Sequence, residues 1–249
     1  MPFKVYSLRE RPERADEFDR LSDLSWPTFL RQRDALGYGA YWPELFTTWA
    51  EWQLLLIDGM GPTIAVTHAV PLAWAGTADD LPSSIADILR RAAEDRAAGR
   101  APTALCALAA MVDPRYRGQR MSPAAVRAMI DLARSRGLRS LLAPVRPAAK
   151  SAYPLAPMER YVRWENDDGL PLDPWLRVHA RLGAETLAVA PRTLVIEGSV
   201  ADWERWTSLK FPDSGPYVVP GALQPVVVDR ERDLVRYEDP NVWVRHCVE

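Results

Sequence analysis

The chain has 249 residues, and its 31 Lys and Arg against 33 Asp and Glu give a formal net charge of -2. This length allows one large domain or two small ones to bury a substantial core, and the near-neutral charge lacks the basic excess of proteins that bind nucleic acid or membrane surfaces. Only two cysteines occur, Cys106 and Cys247, without any Cys/His metal spacing, so we expect neither a disulfide framework nor a metal site.

The N-terminal segment, residues 1–19, contains no apolar signal-peptide core. No apolar run in the chain approaches the length that spans a membrane. We therefore expect a cytoplasmic protein in a reducing compartment, without a membrane partner.

The elements predicted for residues 1–74 combine strands, a helix and a cluster of aromatic side chains. Alternating apolar and polar residues predict a strand over 3–8, and helical spacing predicts a helix within 15–34 that Pro27 interrupts. The aromatic side chains that follow are Trp26, Phe29, Tyr38, Tyr41, Trp42, Phe46, Trp49 and Trp52. Two apolar runs within 52–74, joined by a short glycine turn, predict a β-hairpin.

The elements predicted after residue 80 alternate between helices and strands. Residues 81–99 predict a helix with Ser84 and Asp87 in a capping pattern, and the apolar run 103–114 predicts a buried strand. Ser122 before Pro123 predicts an N-cap with proline at the first helical position. The remaining predicted elements are a strand at 139–147, a proline-rich connection at 148–174, a helix and strand within 173–191, a strand at 192–198, a helix at 199–209 and a final hairpin within 223–246. This order predicts a mixed α/β architecture with one central sheet.

The segment "MVDPRYRGQRMSPAAVRAMIDLARSRGL", residues 111–138, carries the strongest chemical pattern. A strand that passes through a turn into a helix leaves several backbone N–H groups unpaired at the helix start. These groups and the helix dipole favour a bound phosphate. Gly118 permits a close backbone approach, and Arg115, Arg117 and Arg120 add charge, so the turn predicts an anion site.

This pattern resembles the GNAT superfamily of N-acetyltransferases. In that family a strand ends in a Val-x-Pro-like pattern, and a turn written Arg/Gln-x-x-Gly-x-Gly/Ala follows before a long helix. The corresponding residues here are Val112, Asp113 and Pro114, then Arg117, Gly118, Gln119, Arg120, Met121 and Ser122. The resemblance implies a GNAT-like fold, with a central mixed, mostly antiparallel sheet and helices on both faces. It also implies that an acyl-CoA pyrophosphate lies on the amides of 118–122, with its pantetheine arm beside the strand that ends near Val112.

The resemblance covers residues 103–198 and departs from the family pattern in two places. Arg120 and Ser122 occupy positions where the family turn carries small residues, so Arg120 adds bulk near the expected ligand. His179, in the segment "HARLGA", stands where many members have a tyrosine that acts as general acid. A histidine can protonate a CoA thiolate near neutral pH, or the substitution can mark the loss of that role. We interpret His68 and His246 as structural or exposed.

The resemblance also places the acceptor wall in the first helices and their connection. Tyr38, Tyr41 and Trp42 surround two glycines in "LGYGAYWPE", which is typical of a loop, and we predict that they line an acceptor pocket. Tyr153, after the strand 139–147, is the second candidate for the general acid. The predicted organisation is a single domain over 1–249, with an inserted helix near 81–99 and a C-terminal extension over 199–249.

Three functions remain open at this point. The first is an acyl-CoA-dependent N-acyltransferase that transfers an acetyl group from acetyl-CoA, or another acyl group from its CoA ester, to a small-molecule amine. The second is an acyltransferase whose donor is an acyl carrier protein, and the third is a non-catalytic acyl-CoA-binding module. Neither nucleic acid nor a metal is expected, and a homodimer through the added helix or the tail is left open.

Overall fold

A computed structural model describes residues 3–248. Nine strands form one sheet in the order β1-β2-β3-β4-β5-β9-β8-β7, with β6 paired to β9. The strands are β1 (Lys4–Ser7), β2 (Leu54–Ile57), β3 (Thr63–Leu72), β4 (Ala104–Val112), β5 (Ser140–Val145), β6 (Glu185–Gly198), β7 (Gly215–Tyr217), β8 (Val226–Asp229) and β9 (Leu234–Cys247). Every pairing is antiparallel except that of β4 with β5. The predicted mixed, mostly antiparallel sheet is confirmed.

Six α-helices accompany the sheet within the described residues. They are α1 (Asp16–Ser25), α2 (Ile85–Ala97), α3 (Met121–Ser135), α4 (Met158–Tyr161), α5 (Pro174–Arg181) and α6 (Val200–Thr207). The helix predicted within 15–34 stops at Ser25 because proline at 27 disfavours helical dihedrals in the residue before it. The aromatic segment that follows consists of short 3-10 turns. No helix among these is both long and apolar enough to cross a bilayer.

Helices pack on both faces of the sheet. Leu55 of β2 packs in one cluster with Phe18 and Leu21 of α1. The next residue, Leu56, packs with Ala125 of α3 in another cluster. Since successive strand residues point to opposite faces, α1 and α3 cover opposite faces of the sheet.

Strand β9 lies inside the sheet, although its residues belong to the segment predicted as a C-terminal extension. Its C-terminal part pairs with β5 from Val242 to Cys247, and β6 pairs with its other edge. Its N-terminal part also pairs with β8, where Val235 lies opposite Val228. The segment 199–249 therefore completes the central sheet through its last strand, while α6, β7 and β8 are added beyond it.

Candidate active site

The candidate site begins where two parallel neighbours in the sheet diverge. The pairing of β4 with β5 ends at Cys106 and Leu142, but β4 continues to Val112 and β5 to Val145. On the other edge of β4 the register with β3 shifts, which leaves Leu108 without a partner residue on β3. A bulge of this kind bends the strand away from its neighbour, and the divergence opens a gap in the centre of the sheet.

A cavity of about 230 Å³ lies in this gap. Small residues of the two strands, Ala107, Ala109, Ala110 and Ala143, form its walls together with Leu108, Pro144 and Val145. The remaining lining residues are Ser22, Trp26, Leu30, Arg31, Tyr38, Trp42, Ile85, Met129, Arg146, Trp175, His179, Leu194, Asp239 and Asn241. The alanines leave room between the strands, so an elongated ligand can lie along the backbone with aromatic side chains around it.

Two of the three predicted acceptor-wall residues line the cavity. Tyr38 and Trp42 pack against each other, with ring centroids 5.1 Å apart, and both face the cavity. Burial raises the pKa of the Tyr38 hydroxyl, so this hydroxyl stays protonated at neutral pH. Tyr41 is not among the lining residues, because it lies in the turn between the two segments that carry the other rings.

Helix α5 places His179 in the cavity wall. The Asp173 side chain caps this helix by accepting hydrogen bonds from the amides of Trp175 and Leu176, at 2.9 and 3.0 Å. One turn after Trp175, His179 lies on the same helix face, and the two ring centroids are 4.7 Å apart. His179 is only 2% exposed, so the cavity side of its ring is shielded from bulk water.

A hydrogen-bond chain sets the tautomers of His179 and His246. Nδ1 of His246 lies 3.4 Å from the carbonyl oxygen of Leu182, which can only accept, so this nitrogen carries the hydrogen. Nε2 of a neutral His246 is then an acceptor, and Nδ1 of His179 donates to it across 2.9 Å. Nε2 of His179 is therefore left with a lone pair, and it has no partner within the described part of the chain.

Both rings are neutral at physiological pH. Burial lowers the pKa of His179 to about 3, with a further lowering from the neighbouring His246. Burial also lowers the pKa of His246. Nε2 of His179 is therefore a weak base in the resting protein, and a proton placed on it is released readily.

The helix that follows the predicted anion turn begins earlier than the sequence suggested. Helix α3 starts at Met121 with Arg120 as its N-cap, so Ser122 is not the cap and Pro123 lies in the first turn. The reason is the backbone of Arg120, whose φ of 60° places it in the left-handed region and turns the chain into the helix. Gly118 also has a positive φ, of 77°.

Most of the amides in this turn are unpaired. Of the turn residues in the described chain, Gln119 has an acceptor for its amide, while the amides of Gly118, Arg120, Met121 and Ser122 have none. The last two belong to the first turn of α3, where helical N–H groups have no intrahelical acceptor. Donors of this kind at a helix start bind anions.

The three arginines of the turn differ in availability. Arg115 is bound to the buried carboxylate of Asp113, with its Nε at 3.0 Å and its Nη2 at 2.7 Å. Arg20 also donates to Asp113 at 2.9 Å, and these guanidinium groups hold the pKa of Asp113 far below its usual range. All three arginines are exposed, but Arg115 is engaged with Asp113.

A surface groove continues from the turn between α3 and α5. Arg120, Arg127 and Arg181 line it together with Asp131, so the groove carries an excess of positive charge. Val112, the other predicted ligand contact, pairs with Ala65 of β3 and does not line the central cavity. Among the described residues, no group of His, Cys, Asp and Glu side chains could hold a metal ion.

Sequence and fold comparisons place this site among known proteins. No family model matches the chain. It is 29% identical over 277 aligned positions to the arginine N-acetyltransferase avaD of Aspergillus versicolor, with 98% of this chain and 94% of that protein covered. The loading GNATL domain of CurA from Lyngbya majuscula has a TM-score of 0.62 at 14% identity, over 100% of this chain and 98% of that one. The GphF GNAT-like decarboxylase, solved with isobutyryl-CoA, has a TM-score of 0.62 at 18% identity, over 99% and 100%. The chain therefore has a GNAT-like fold, and its sequence is similar to that of an arginine N-acetyltransferase.

Within this GNAT-like fold, Tyr153 does not join the other candidates. It is 44% exposed and is not among the residues that line the cavity. Its ring packs instead on Tyr161 and Trp164, with centroids 6.0 and 5.1 Å away. His179 is thus the candidate proton donor that the GNAT fold brings to the cavity.

Two groups at this site were missed by reasoning from the sequence. His246, interpreted as structural or exposed, is the hydrogen-bond partner of His179. Arg146 and Asp239 form a charged pair at the cavity, with the Arg146 Nε 3.0 Å from Oδ1 of Asp239. In sequence these partners are separated by 67 and 93 positions, and nothing in the local patterns links them.

Proposed function

We propose that this chain is an acetyl-CoA-dependent N-acetyltransferase whose acceptor is an amine of arginine or a close arginine derivative. The acceptor class is taken from the relative avaD, which is an arginine N-acetyltransferase and aligns with nearly the whole chain. The single observation in the structure that supports the chemistry best is His179, which lines the cavity between diverging strands and whose buried Nε2 has no partner among the described residues.

The donor would bind across the sheet and the start of α3. Its pyrophosphate would accept hydrogen bonds from the free amides of Gly118, Arg120, Met121 and Ser122, and its charge would pair with Arg117 and Arg120. The arginine-lined groove between α3 and α5 is suited to the phosphorylated ribose end of CoA. No metal is required, because guanidinium groups and amides neutralise the phosphates.

The thioester would lie between β4 and β5. Leu108 lies in a bulge without a partner residue on β3, and beyond Cys106 the edge of β4 toward β5 is no longer paired. We assign the polarisation of the thioester carbonyl to backbone N–H groups of 108–110, in place of Val112, because this stretch lines the cavity. Fixed amides of this kind stabilise a developing oxyanion without reorganisation.

In the transfer step, the neutral amine attacks the carbonyl carbon, forming the new C–N bond. Nε2 of His179 accepts the proton that the nitrogen loses, since this atom carries a lone pair in the resting tautomer. The C–S bond then breaks, and His179 returns the same proton to the departing sulfur, so the products are the amide and the CoA thiol. His179 therefore ends each cycle as it began, and it serves as the general acid only after it has served as the base.

The direct test is release of the CoA thiol from acetyl-CoA when purified protein is mixed with L-arginine, with mass spectrometry of the acetylated product. Thiol release that depends on both substrates supports the proposal. CoA binding by calorimetry without thiol release, across arginine and a panel of other amines, would instead support a non-catalytic acyl-CoA-binding module. Turnover with an acetylated carrier protein but not with acetyl-CoA would identify a carrier-protein-dependent enzyme.

A further inference from the structure

The polar end of the cavity contains a buried ion pair. Arg146, directly after β5, has a side chain that is 16% exposed, whereas the Asp239 side chain is fully buried. The Arg146 Nε lies 3.0 and 3.1 Å from the two carboxylate oxygens of Asp239, and its Nη2 donates to the carbonyl oxygen of Gly221 at 2.7 Å. The guanidinium is therefore held in one orientation by the protein.

Asp239 is already held by several donors of the protein. Its Oδ1 accepts from the Tyr237 hydroxyl at 2.6 Å in addition to Arg146. Its Oδ2 accepts from Arg146 and, in the amide orientation that satisfies both atoms of Asn241, from the Asn241 nitrogen at 3.2 Å. A carboxylate offers about four lone-pair sites, and three donors, from Tyr237, Arg146 and Asn241, already bind to this one. A cationic group of a ligand would therefore compete with these donors.

Arg146, in contrast, has side-chain N–H groups that donate to none of the described residues. A guanidinium has five N–H groups, and Nε and Nη2 account for the protein contacts of Arg146. Its Nη1 has no acceptor among the residues that the structure describes, and the residue lines the cavity. Burial lowers the pKa of Arg146, but the charge of Asp239 and the hydrogen bonds raise it more, so the pKa lies above its ordinary value and the group is charged at every working pH.

The cavity lining contains one charged side chain besides this ion pair among the described residues, and it is also positive. Arg31 is the second guanidinium that lines the cavity, and it is paired with Asp23. The ionised groups in the lining are thus two guanidiniums and one carboxylate that Arg146 already binds. This end of the cavity presents hydrogen-bond donors and positive charge, which is complementary to an oxygen anion rather than to a cation.

We propose that Arg146 binds the carboxylate of the acceptor, so that the acceptor is an amino acid rather than a simple amine. Nη1 supplies the contact, and Asp239, Tyr237 and Gly221 are positioning groups that fix the guanidinium edge toward the cavity. This inference rests on the proposed function, because it assigns the acceptor of that same site. Charge-assisted contacts between guanidinium and carboxylate are among the stronger hydrogen bonds in proteins.

The test compares L-arginine, L-argininamide and agmatine as acceptors for the unaltered enzyme. Argininamide retains a carbonyl but loses the negative charge, and agmatine lacks the whole group. We expect kcat/KM for L-arginine to exceed that for either analogue by roughly 10- to 100-fold, the range of one charge-assisted hydrogen bond. Equal or better kcat/KM for agmatine or argininamide would overturn the carboxylate assignment while leaving the acetyltransferase proposal intact.

A variant links the preference to Arg146 itself. Arg146→Lys retains a positive charge beside Asp239 but loses the planar fork, so we expect KM for L-arginine to rise roughly tenfold while KM for agmatine stays unchanged. Arg192→Lys is the matched control, because Arg192 makes a 3.7 Å surface contact with Glu238 outside the cavity lining. An equal rise in KM for L-arginine and for agmatine in Arg146→Lys would contradict the assignment.

If the variant fails to fold, the three-acceptor comparison on the unaltered protein still decides. If no acceptor is turned over, the proposed function fails, and calorimetry of L-arginine against agmatine in the presence of CoA tests Arg146 separately. Tighter binding of L-arginine would support the carboxylate site, and equal binding would refute it.

Discussion

His179 donates its Nδ1 hydrogen to Nε2 of His246 across 2.9 Å, and His246 in turn is held by the carbonyl of Leu182. The partner of His179 is thus a neutral imidazole rather than a carboxylate. A carboxylate partner would stabilise an imidazolium at His179, whereas a neutral ring leaves the protonated form unfavourable. The pair therefore keeps His179 neutral in the resting protein, with Nε2 unprotonated.

Replacement of His246 tests this orienting role. In His246→Gln, the amide oxygen can accept from His179 and the amide nitrogen can donate to Leu182, so we expect kcat to stay within about threefold of the parent. His246→Ala removes both contacts and lets the His179 ring adopt the other tautomer, so kcat should fall by roughly tenfold or more. Steady-state kinetics with acetyl-CoA and arginine measures both.

The tautomer itself can be read by long-range ¹H–¹⁵N NMR of the histidine rings. The chain has three histidines, so His179→Gln identifies the resonances of residue 179. We expect a protonated Nδ1 and an unprotonated Nε2 at His179 in the parent and in His246→Gln. An Nε2-protonated ring in the parent would refute the hydrogen-bond chain whatever the kinetics show.

The two candidates for the proton donor make opposite predictions. His179→Ala should lower kcat by about 100-fold, the usual contribution of a positioned acid–base group. Tyr153→Phe should change kcat by less than twofold, because Tyr153 is exposed and lies outside the cavity lining. Calorimetric binding of CoA to both variants controls for folding. A large loss in Tyr153→Phe together with normal turnover in His179→Ala would reverse the assignment.

Burial of neutral histidines makes stability depend on pH in a defined direction. The pKa of His68 and that of His179 are each lowered to about 3 in the folded chain, from 6.5 for an exposed ring. The unfolded state therefore binds more protons between these values, and the free energy of unfolding should fall as pH drops below 6.5. At pH 5 the loss is about 2 kcal/mol for each histidine, at 1.36 kcal/mol per pH unit.

Urea denaturation at pH 7 and pH 5 measures this loss. His179→Gln removes one of the three rings whose pKa is lowered by burial, so its stability should change less between the two pH values than that of the parent. His68 is the internal comparison, because its Nδ1 is hydrogen-bonded to Gln53 at 2.9 Å and remains in the variant. An unchanged pH dependence in His179→Gln would show that His179 is not buried as a neutral ring.

Local patterns predicted the parts of the fold that local interactions determine. The hairpin of β2 and β3 follows from two apolar runs and a glycine turn, and Ser84 caps α2 as the sequence indicated, accepting from the Asp87 amide at 3.0 Å. The insertion of β9 between β5 and β6 could not be predicted in the same way. It depends on pairing between distant segments, such as Ala143 with Val244, whose register is set by packing in the folded sheet.

In the candidate site, too, the features that depend on local sequence could be predicted and those that depend on distant segments could not. The free amides at the start of α3 follow from a continuous stretch of sequence, so they could be predicted. The N-cap position could not, because Arg120 adopts a left-handed backbone that is uncommon for residues other than glycine, asparagine and aspartate. The roles of His246 and Asp239 could not be predicted either. Both residues lie on β9, and the position of β9 in the sheet brings them to His179 and Arg146.

Variants of the turn before α3 separate the effect of backbone conformation on stability from the effect of charge on CoA binding. Gly118 has a φ of +77°, and an added Cβ would meet no atom within 4 Å, so Gly118→Ala should cost roughly 1 kcal/mol of stability through the backbone alone. Arg120→Gly removes a side chain from a residue with φ of 60° and should raise the free energy of unfolding by up to about 1 kcal/mol. Urea denaturation measures both changes.

The same variants report on the donor site through calorimetry with CoA. Arg120→Gly should weaken CoA binding by roughly 3- to 10-fold despite its gain in stability, because it removes a phosphate-pairing charge. Arg117→Gln is the matched control, since it removes a neighbouring charge without a change in a left-handed backbone, and it should weaken binding without stabilising the fold. Tighter CoA binding in Arg120→Gly would show instead that the Arg120 side chain obstructs the phosphate site, and the charge contact assigned to it would be withdrawn.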